Sequence, residues 1–246
     1  MAKQKGIIPL AGTLGGLNFY YLNGKPVVRQ AGGGFNSKAI KTKDSMQRVR
    51  ENGNEFGHCS HVNKVFKHAL SPFYMGCKLT YLHSRLMRLF TQLKDLDLIN
   101  KRGQRVVAEG IKTFEGLQLL KQFQYTPECE VQRILPFNFI LDAHTFTLTI
   151  SEFDIKHVGF VAGATHVKLS YGVLDFNFNA LVSQLFMAPP LILDKEASIT
   201  SILLTPQSLP TGLGIPLCVL GLRFYQNVDG TLYELCAQNT VGFRLF

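Results

Sequence analysis

The apolar positions of this chain change their period along its length, and the changes mark three stretches. Near the N-terminus, Leu17-Asn18-Phe19-Tyr20-Tyr21 reads as a strand, Asn23-Gly24 as a two-residue turn, and Lys25-Pro26-Val27-Val28-Arg29 as the returning strand. Both residues of such a turn need positive φ, which Asn and Gly tolerate. Pro26 has no N–H, so it marks an edge strand or the first residue of a strand. Gly32-Gly33-Gly34 follows and reads as a hinge, because neither a GKS or GKT sequence nor a GxGxxG turn continues it into a phosphate loop.

The period then becomes helical. Met46, Val49, Gly53 and Phe56, followed by Val62, Phe66 and Leu70, recur at spacings of three and four and predict a helix over about 42–70. Thr42 or Asp44 would cap it, and Ser71-Pro72 would end it. A second helix is expected over about 73–98, where Met75, Leu79, Leu82, Leu86, Leu89, Leu93 and Leu96 form a heptad seam. Such a seam needs a partner. That partner is either the first helix folded back as an αα-hairpin or the same helix of another subunit. Residues 100–113 read as a basic connector, and 114–126 as ambiguous, with Leu117, Leu120 and Phe123 at the spacing of a short helix.

From about residue 131 the pattern turns to strands, expected at 137–141, 146–150, 158–161, 166–174, 191–193, 199–204, 217–225, 232–235 and 241–246. Asp142-Ala143-His144 and Asn227-Val228-Asp229-Gly230 are the turn signals among them. Short strands at regular spacing argue for a sandwich or barrel. The expected fold class is therefore α+β: an N-terminal β-hairpin arm (1–36), an antiparallel helical hairpin (37–100), and a connector plus C-terminal antiparallel β-sandwich (101–246).

Composition adds two constraints. With 46% hydrophobic residues over 246 positions, the chain can bury a sizeable core, yet no stretch is apolar enough to span a bilayer. The basic start is not followed by an apolar run of signal-peptide length, so synthesis in the cytoplasm without a Sec-type signal is expected. The net charge of +9 is uneven: residues 1–133 hold 21 Lys and Arg against 9 Asp and Glu, and residues 134–246 hold 5 against 8. A basic half joined to a mildly acidic one can bind polyanions or dock head to tail on copies of itself.

Candidate chemistry is sparse. Cys59, Cys77, Cys129, Cys218 and Cys236 are odd in number and irregular in spacing, which argues against a disulfide scaffold or zinc ribbon. His58-Cys59-Ser60-His61, with His68 and Cys77 downstream, is the best metal candidate. Lys64 and Lys67 in the same stretch would repel a cation, and no metal is assigned there. His157 with Asp154 and Glu152 would not converge if they lay on a strand, where neighbours three apart point to opposite faces. No GxSxG, HExxH or P-loop occurs, so neither an enzyme activity nor a cofactor nor a small-molecule substrate is expected.

The opening from Met1 to Ile8, then Gly12-Thr13-Leu14-Gly15-Gly16-Leu17-Asn18-Phe19-Tyr20, resembles a family of uncharacterised proteins common in Bacteroidota genomes. Arg50-Glu51-Asn52-Gly53-Asn54-Glu55-Phe56-Gly57, Arg102-Gly103-Gln104-Arg105 and Phe224-Tyr225-Gln226-Asn227-Val228-Asp229-Gly230-Thr231-Leu232-Tyr233 fit the same pattern. The resemblance spans most of the chain. It implies a bacterial source and transfers no activity.

Two functional expectations remain. The first is a structural, self-assembling subunit of a filament, tube or phage-derived particle. Its contacts would be made by strand addition through Phe19, Tyr20, Tyr21, Val27 and Val28 and by helix packing through Leu79, Leu82, Leu86, Leu89 and Leu93. The second is a nucleic-acid-binding accessory protein, contacting polyanions through Lys38, Lys41, Lys43, Arg48, Arg50, Lys101, Arg102 and Arg105.

Overall fold

The computed structural model of the chain describes residues 2–4, 10–32, 37–212 and 214–246. The protein is α+β and divides into two compact units, Met1–Gly53 and Asn54–Phe246.

The first unit holds four strands, β1 (Ala2–Lys3), β2 (Gly12–Leu14), β3 (Leu17–Leu22) and β4 (Lys25–Gln30), all antiparallel in the order β1-β4-β3-β2. The Asn23-Gly24 turn closes β3 on β4, with φ of 50° and 75°, the paired positive values that match the twist of a hairpin. Gly15-Gly16 closes a second hairpin between β2 and β3 in the same way, with φ of 55° and 75°. Strand β4 is flanked on both sides, so it is not an edge. Pro26 is accommodated because β1 pairs only with Val27 and Val28. Gly33 and Gly34 of the expected hinge lie outside the described residues. The helix α1 (Ser37–Thr42), a 3₁₀ turn at Asp44–Met46 and the start of α2 (Gln47–Ala69) complete the unit. Arg50 donates to the carbonyls of Ile40 (2.6 Å) and Lys43 (2.9 Å), bracing the break between α1 and α2.

The second unit continues α2 and adds α3 (Leu82–Asp95), α4 (Val107–Ile111), α5 (Phe114–Gln122) and α6 (Val131–Ile134). Two antiparallel sheets follow. Strands β5 (Phe139–Leu141), β6 (Leu148–Ile150) and β10 (Ile202–Leu204) form the smaller. The larger is built from β7 (His166–Asn177), β8 (Val182–Met187), β9 (Leu191–Asp194), β11 (Ile215–Val228), β12 (Thr231–Glu234) and β13 (Val241–Leu245). Its spine is the β7–β11 pair, in register from Ile215 opposite Phe176 to Tyr225 opposite His166.

This spine is apolar on both faces. Val167, Leu169, Tyr171 and Val173 with Cys218, Leu220, Leu222 and Phe224 share a core with Leu148, Ile150, Ile202 and Leu204 of the small sheet. On the other face, Leu174, Phe176, Leu217 and Val219 share a core with Phe66 and Leu70 of α2, Leu86, Phe90 and Leu93 of α3, and Leu120 of α5. Helices, large sheet and small sheet are thus three layers. Gly221 admits the Phe73 ring between helix and sheet, since a Cβ there would lie 2.8 Å from the ring.

The helical hairpin is present. Hydrogen bonds from Cys59 Sγ to the Phe90 carbonyl and from Asn63 Nδ2 to the His83 carbonyl, with the Glu55–Lys94 ion pair, run in opposite directions along α2 and α3, as antiparallel helices require. Its second helix starts at Leu82 instead of 73, because the chain turns at Gly76 (φ 89°) and Tyr81 (φ 62°). Leu82, Leu86, Leu89 and Leu93 are buried in the chain's own core and Leu79 packs against it, so the leucine seam is removed from the candidate contacts between copies. The helices from Asn54 onward share this core with the sheet, and the units accordingly part at Gly53 instead of at residues 36 and 100. Residues 158–161 form no strand: a 3₁₀ turn at Ile155–His157, capped by Asp154, precedes them. Residues 182–187 do form one, β8, which the unbroken apolar run Leu185-Phe186-Met187 conceals. The 100–113 connector contains α4, and 114–126 resolves into α5, capped by Thr113 Oγ1 accepting from the Gly116 N–H.

One buried carboxylate holds the helical layer together. Glu55, 3% exposed, accepts from Lys94 Nζ (2.6 Å), from Arg105 through Nε and a terminal nitrogen (2.8 Å each), and from the Gly103 N–H (2.7 Å). The Arg105 guanidinium first, aided by Lys94 and Gly103 against the opposing effect of burial, holds the Glu55 carboxyl well below the usual carboxylate range. Asp97 organises the adjoining loop by accepting from the Ile99, Asn100 and Val106 N–H groups. Burial opposes ionisation of Asp97, but these donors outweigh it and bring its pKa down to about 2. Replacing Glu55 by Gln removes the buried counter-charge of Lys94 and Arg105 and leaves them only the half-exposed Asp95, and removing one member of a buried pair costs about 3–5 kcal/mol. Urea unfolding should show that loss for Glu55→Gln, against about 0–1 kcal/mol for Glu109→Gln at the outer Lys112 pair. Equal effects from the two variants would refute the structural role of Glu55.

Candidate interaction surface and thiol cluster

In the first unit the alternation along β3 sorts side chains onto two faces. Leu17, Phe19 and Tyr21 share one face with their partners across the ladders: Gly12 and Leu14 on β2, and Pro26, Val28 and Gln30 on β4. Apart from Gln30 this face is apolar, with Leu14 68%, Leu17 43% and Tyr21 51% exposed and Phe19, Pro26 and Val28 half-buried. The opposite face carries Asn18, Tyr20 and Leu22 with Thr13, Lys25, Val27 and Arg29. There the Arg29 guanidinium lies 5.5 Å from the centre of the Tyr20 ring. Among the described residues of these strands, only Val27 is buried. The five aromatic and aliphatic positions expected to meet a partner are therefore split: Phe19, Tyr21 and Val28 on the apolar face, Tyr20 and Val27 on the other.

The eight expected polyanion contacts are also split. Lys38, Lys41, Lys43 and Arg48 are exposed on α1, at the break after it and on α2, and Lys101 and Arg102 are exposed in the loop after α3. Arg50 is engaged with two backbone carbonyls. Arg105 is committed to Glu55 and Asp95. Arg105 leaves the candidate set, because all three of its guanidinium nitrogens are engaged, whereas Arg50 uses one terminal nitrogen for both carbonyls.

The histidine–cysteine stretch on α2 does not assemble. His58 Nε2 accepts from the Val107 N–H (3.1 Å), and Cys59 is buried with its thiol on the Phe90 carbonyl. Burial raises the Cys59 pKa to about 11. Glu152 and His157 do line one open groove of about 420 Å³ with Ser151, since residues 152–157 turn instead of running as a strand. Asp154 is directed elsewhere, onto the Lys156 N–H (2.9 Å).

Cys77 joins a different set. The turn before α3 brings its Sγ within 3.0 Å of Cys236 Sγ and 3.6 Å of Glu234 Oε1, and Cys236 Sγ lies 3.8 Å from the same oxygen. Glu234 ends β12 and Cys236 follows in the connection to β13, so residues 159 apart in sequence meet. Arg223 of β11 pairs with Glu234. Gln238 donates to Thr80 Oγ1 and ties the same two segments. Burial first, then the adjacent Cys236 and Glu234, push the Cys77 thiol up to about 12. No sequence spacing announced this cluster; the only local signal is Glu234 two residues before Cys236.

No protein-family model, curated protein or solved structure matches this chain.

The environment of His58 sets a pH dependence. Burial first, and the charge of His61 second, lower its pKa from the ordinary 6.5. The folded state therefore holds the neutral ring, which accepts from Val107, and binds fewer protons than the unfolded state. This contribution is present above the unfolded pKa and is lost as pH falls below it. The urea midpoint should drop between about pH 7.5 and about pH 5.5, and His58→Gln, which keeps an acceptor and cannot titrate, should flatten that drop. A wild-type slope unchanged by the substitution would exclude His58 as its source.

Proposed function

We propose that this protein is a non-enzymatic structural subunit that associates with copies of itself through the apolar face of its N-terminal sheet. One observation carries the reading: Leu14, Leu17, Phe19, Tyr21, Pro26 and Val28 share a sheet face on which Leu14, Leu17 and Tyr21 are exposed and the other three half-buried. A small sheet needs a packed face for stability, and contiguous exposed apolar surface marks interaction sites. Fully burying an exposed Leu or Phe side chain contributes about 1.5–3 kcal/mol, which works toward association against its cost in rotational and translational freedom. Face-to-face packing is favoured over strand addition. The edge strands β1 and β2 are two and three residues long and offer little template for an added strand. A second copy is the occupant of choice because an isologous contact presents the same apolar patch from both sides.

A second reading, polyanion binding, is favoured by the exposure of Lys38, Lys41, Lys43 and Arg48 in a unit that carries nine Lys and Arg against two Asp and Glu. The two readings respond to salt with opposite sign. Association of two basic units is opposed by their charge and strengthens as salt screens it, whereas phosphate binding weakens steeply with salt. Sedimentation and light scattering across salt should show self-association that rises with ionic strength and is lost in Leu17→Glu/Tyr21→Lys. A monomer at high concentration under all salts would overturn the assembly reading. Steep salt-sensitive retention on duplex DNA, lost on replacing the four exposed basic residues, would install the second in its place.

A further inference from the structure

We propose that Cys77, Cys236 and Glu234 form a binding site for a thiophilic divalent cation of the zinc class. Two thiols and a carboxylate from two sequence-distant segments converge with all three ligand atoms within 4.8 Å of one another. Zinc takes thiolate sulfur at about 2.3 Å and carboxylate oxygen at about 2.0–2.2 Å in tetrahedral geometry, which sets sulfur–oxygen edges of about 3.5 Å and a sulfur–sulfur edge of about 3.8 Å. The two sulfur–oxygen edges here, 3.6 and 3.8 Å, already have that length. The sulfur–sulfur edge, 3.0 Å, has to open by rotation of the exposed Cys236 side chain.

Charge supports the same occupant. Two thiolates and one carboxylate carry three negative charges, a divalent cation supplies two positive ones, and Arg223, paired with Glu234, supplies the third. Binding releases the two thiol protons to solvent and involves no change of oxidation state. A soft donor pair selects zinc, cadmium or cobalt(II) over magnesium or calcium, which take oxygen ligands. Cys77 also lines an open groove of about 530 Å³, and water would take the fourth position of a tetrahedral site. A disulfide would join the same two sulfurs without using the Glu234 carboxylate, and the test below separates it from metal binding.

The test uses the full-length, reduced, metal-free protein and titrates it with cobalt(II). The expected result is a saturable sulfur-to-cobalt charge-transfer band with the visible bands of tetrahedral cobalt, both bleached by added zinc. Cys77→Ser and Cys236→Ser should each abolish the charge-transfer band, and Glu234→Gln should weaken cobalt binding about 10- to 100-fold. Circular dichroism of each variant checks the fold, and Cys236→Ser alters an exposed side chain. His61→Ala, which alters the α2 histidine stretch, should leave the titration unchanged. Absence of the band, its persistence in Cys236→Ser, or formation of a Cys77–Cys236 disulfide by glutathione disulfide in the presence of excess zinc would overturn the site.

Discussion

A sheet that is apolar on both faces has to be covered twice, and that constraint organises the second unit. The β7–β11 pair alternates between two cores along its length, one shared with the small sheet and one with the helices. Either cover alone would leave a row of large side chains such as Phe176 or Phe224 in water, at about 25 cal/mol for each Å² left uncovered. The leucines of α3 are consumed by this demand. Their four–three spacing is that of a coiled-coil seam, but over a helix of 14 residues it equally describes one face laid on a sheet. The sheet needed the cover, so the seam has no surface left for a second copy.

Covering a sheet with helices also fixes their polar neighbours. Once α2 and α3 lie antiparallel on the large sheet, Glu55 and Lys94 face each other under the loop that leads to α4. A lone carboxylate there would be costly to desolvate. Arg105 and the Gly103 N–H complete its shell, so two motifs about fifty residues apart, Asn54-Glu55-Phe56-Gly57 and Arg102-Gly103-Gln104-Arg105, become one structural device. Arg105 thus looks like a nucleic-acid contact in sequence and serves as a counter-ion in the fold.

What was legible in the sequence follows from the range of the interaction that decides it. The Asn23-Gly24 hairpin depends on the φ preferences of two adjacent residues and was readable directly. The long strands β7 and β11 were readable from their apolar runs, though not their full extent. The start of α3 was misplaced because Met75 and Leu79 keep the heptad period while Gly76 and Tyr81 break the backbone. Strand β8 was concealed by apolar residues on both of its faces, which erases the period of two. The Glu55 shell and the Cys77–Cys236 meeting are long-range consequences of topology, and no local pattern encodes them.

The apolar face of the N-terminal sheet stands apart from this economy of cover. Its period of two was visible in Leu17, Phe19 and Tyr21, and the fold confirms their common side without burying them. The contrast with α3 is informative. Both elements present an apolar stripe, and the sequence offers both as contact surfaces. The folded chain separates them, because α3 meets the sheet it must cover, whereas Leu14, Leu17 and Tyr21 on the hairpin face stay exposed beside a strongly basic composition. Surface that a chain does not use on itself, and that charge keeps soluble, is the surface available to a neighbour.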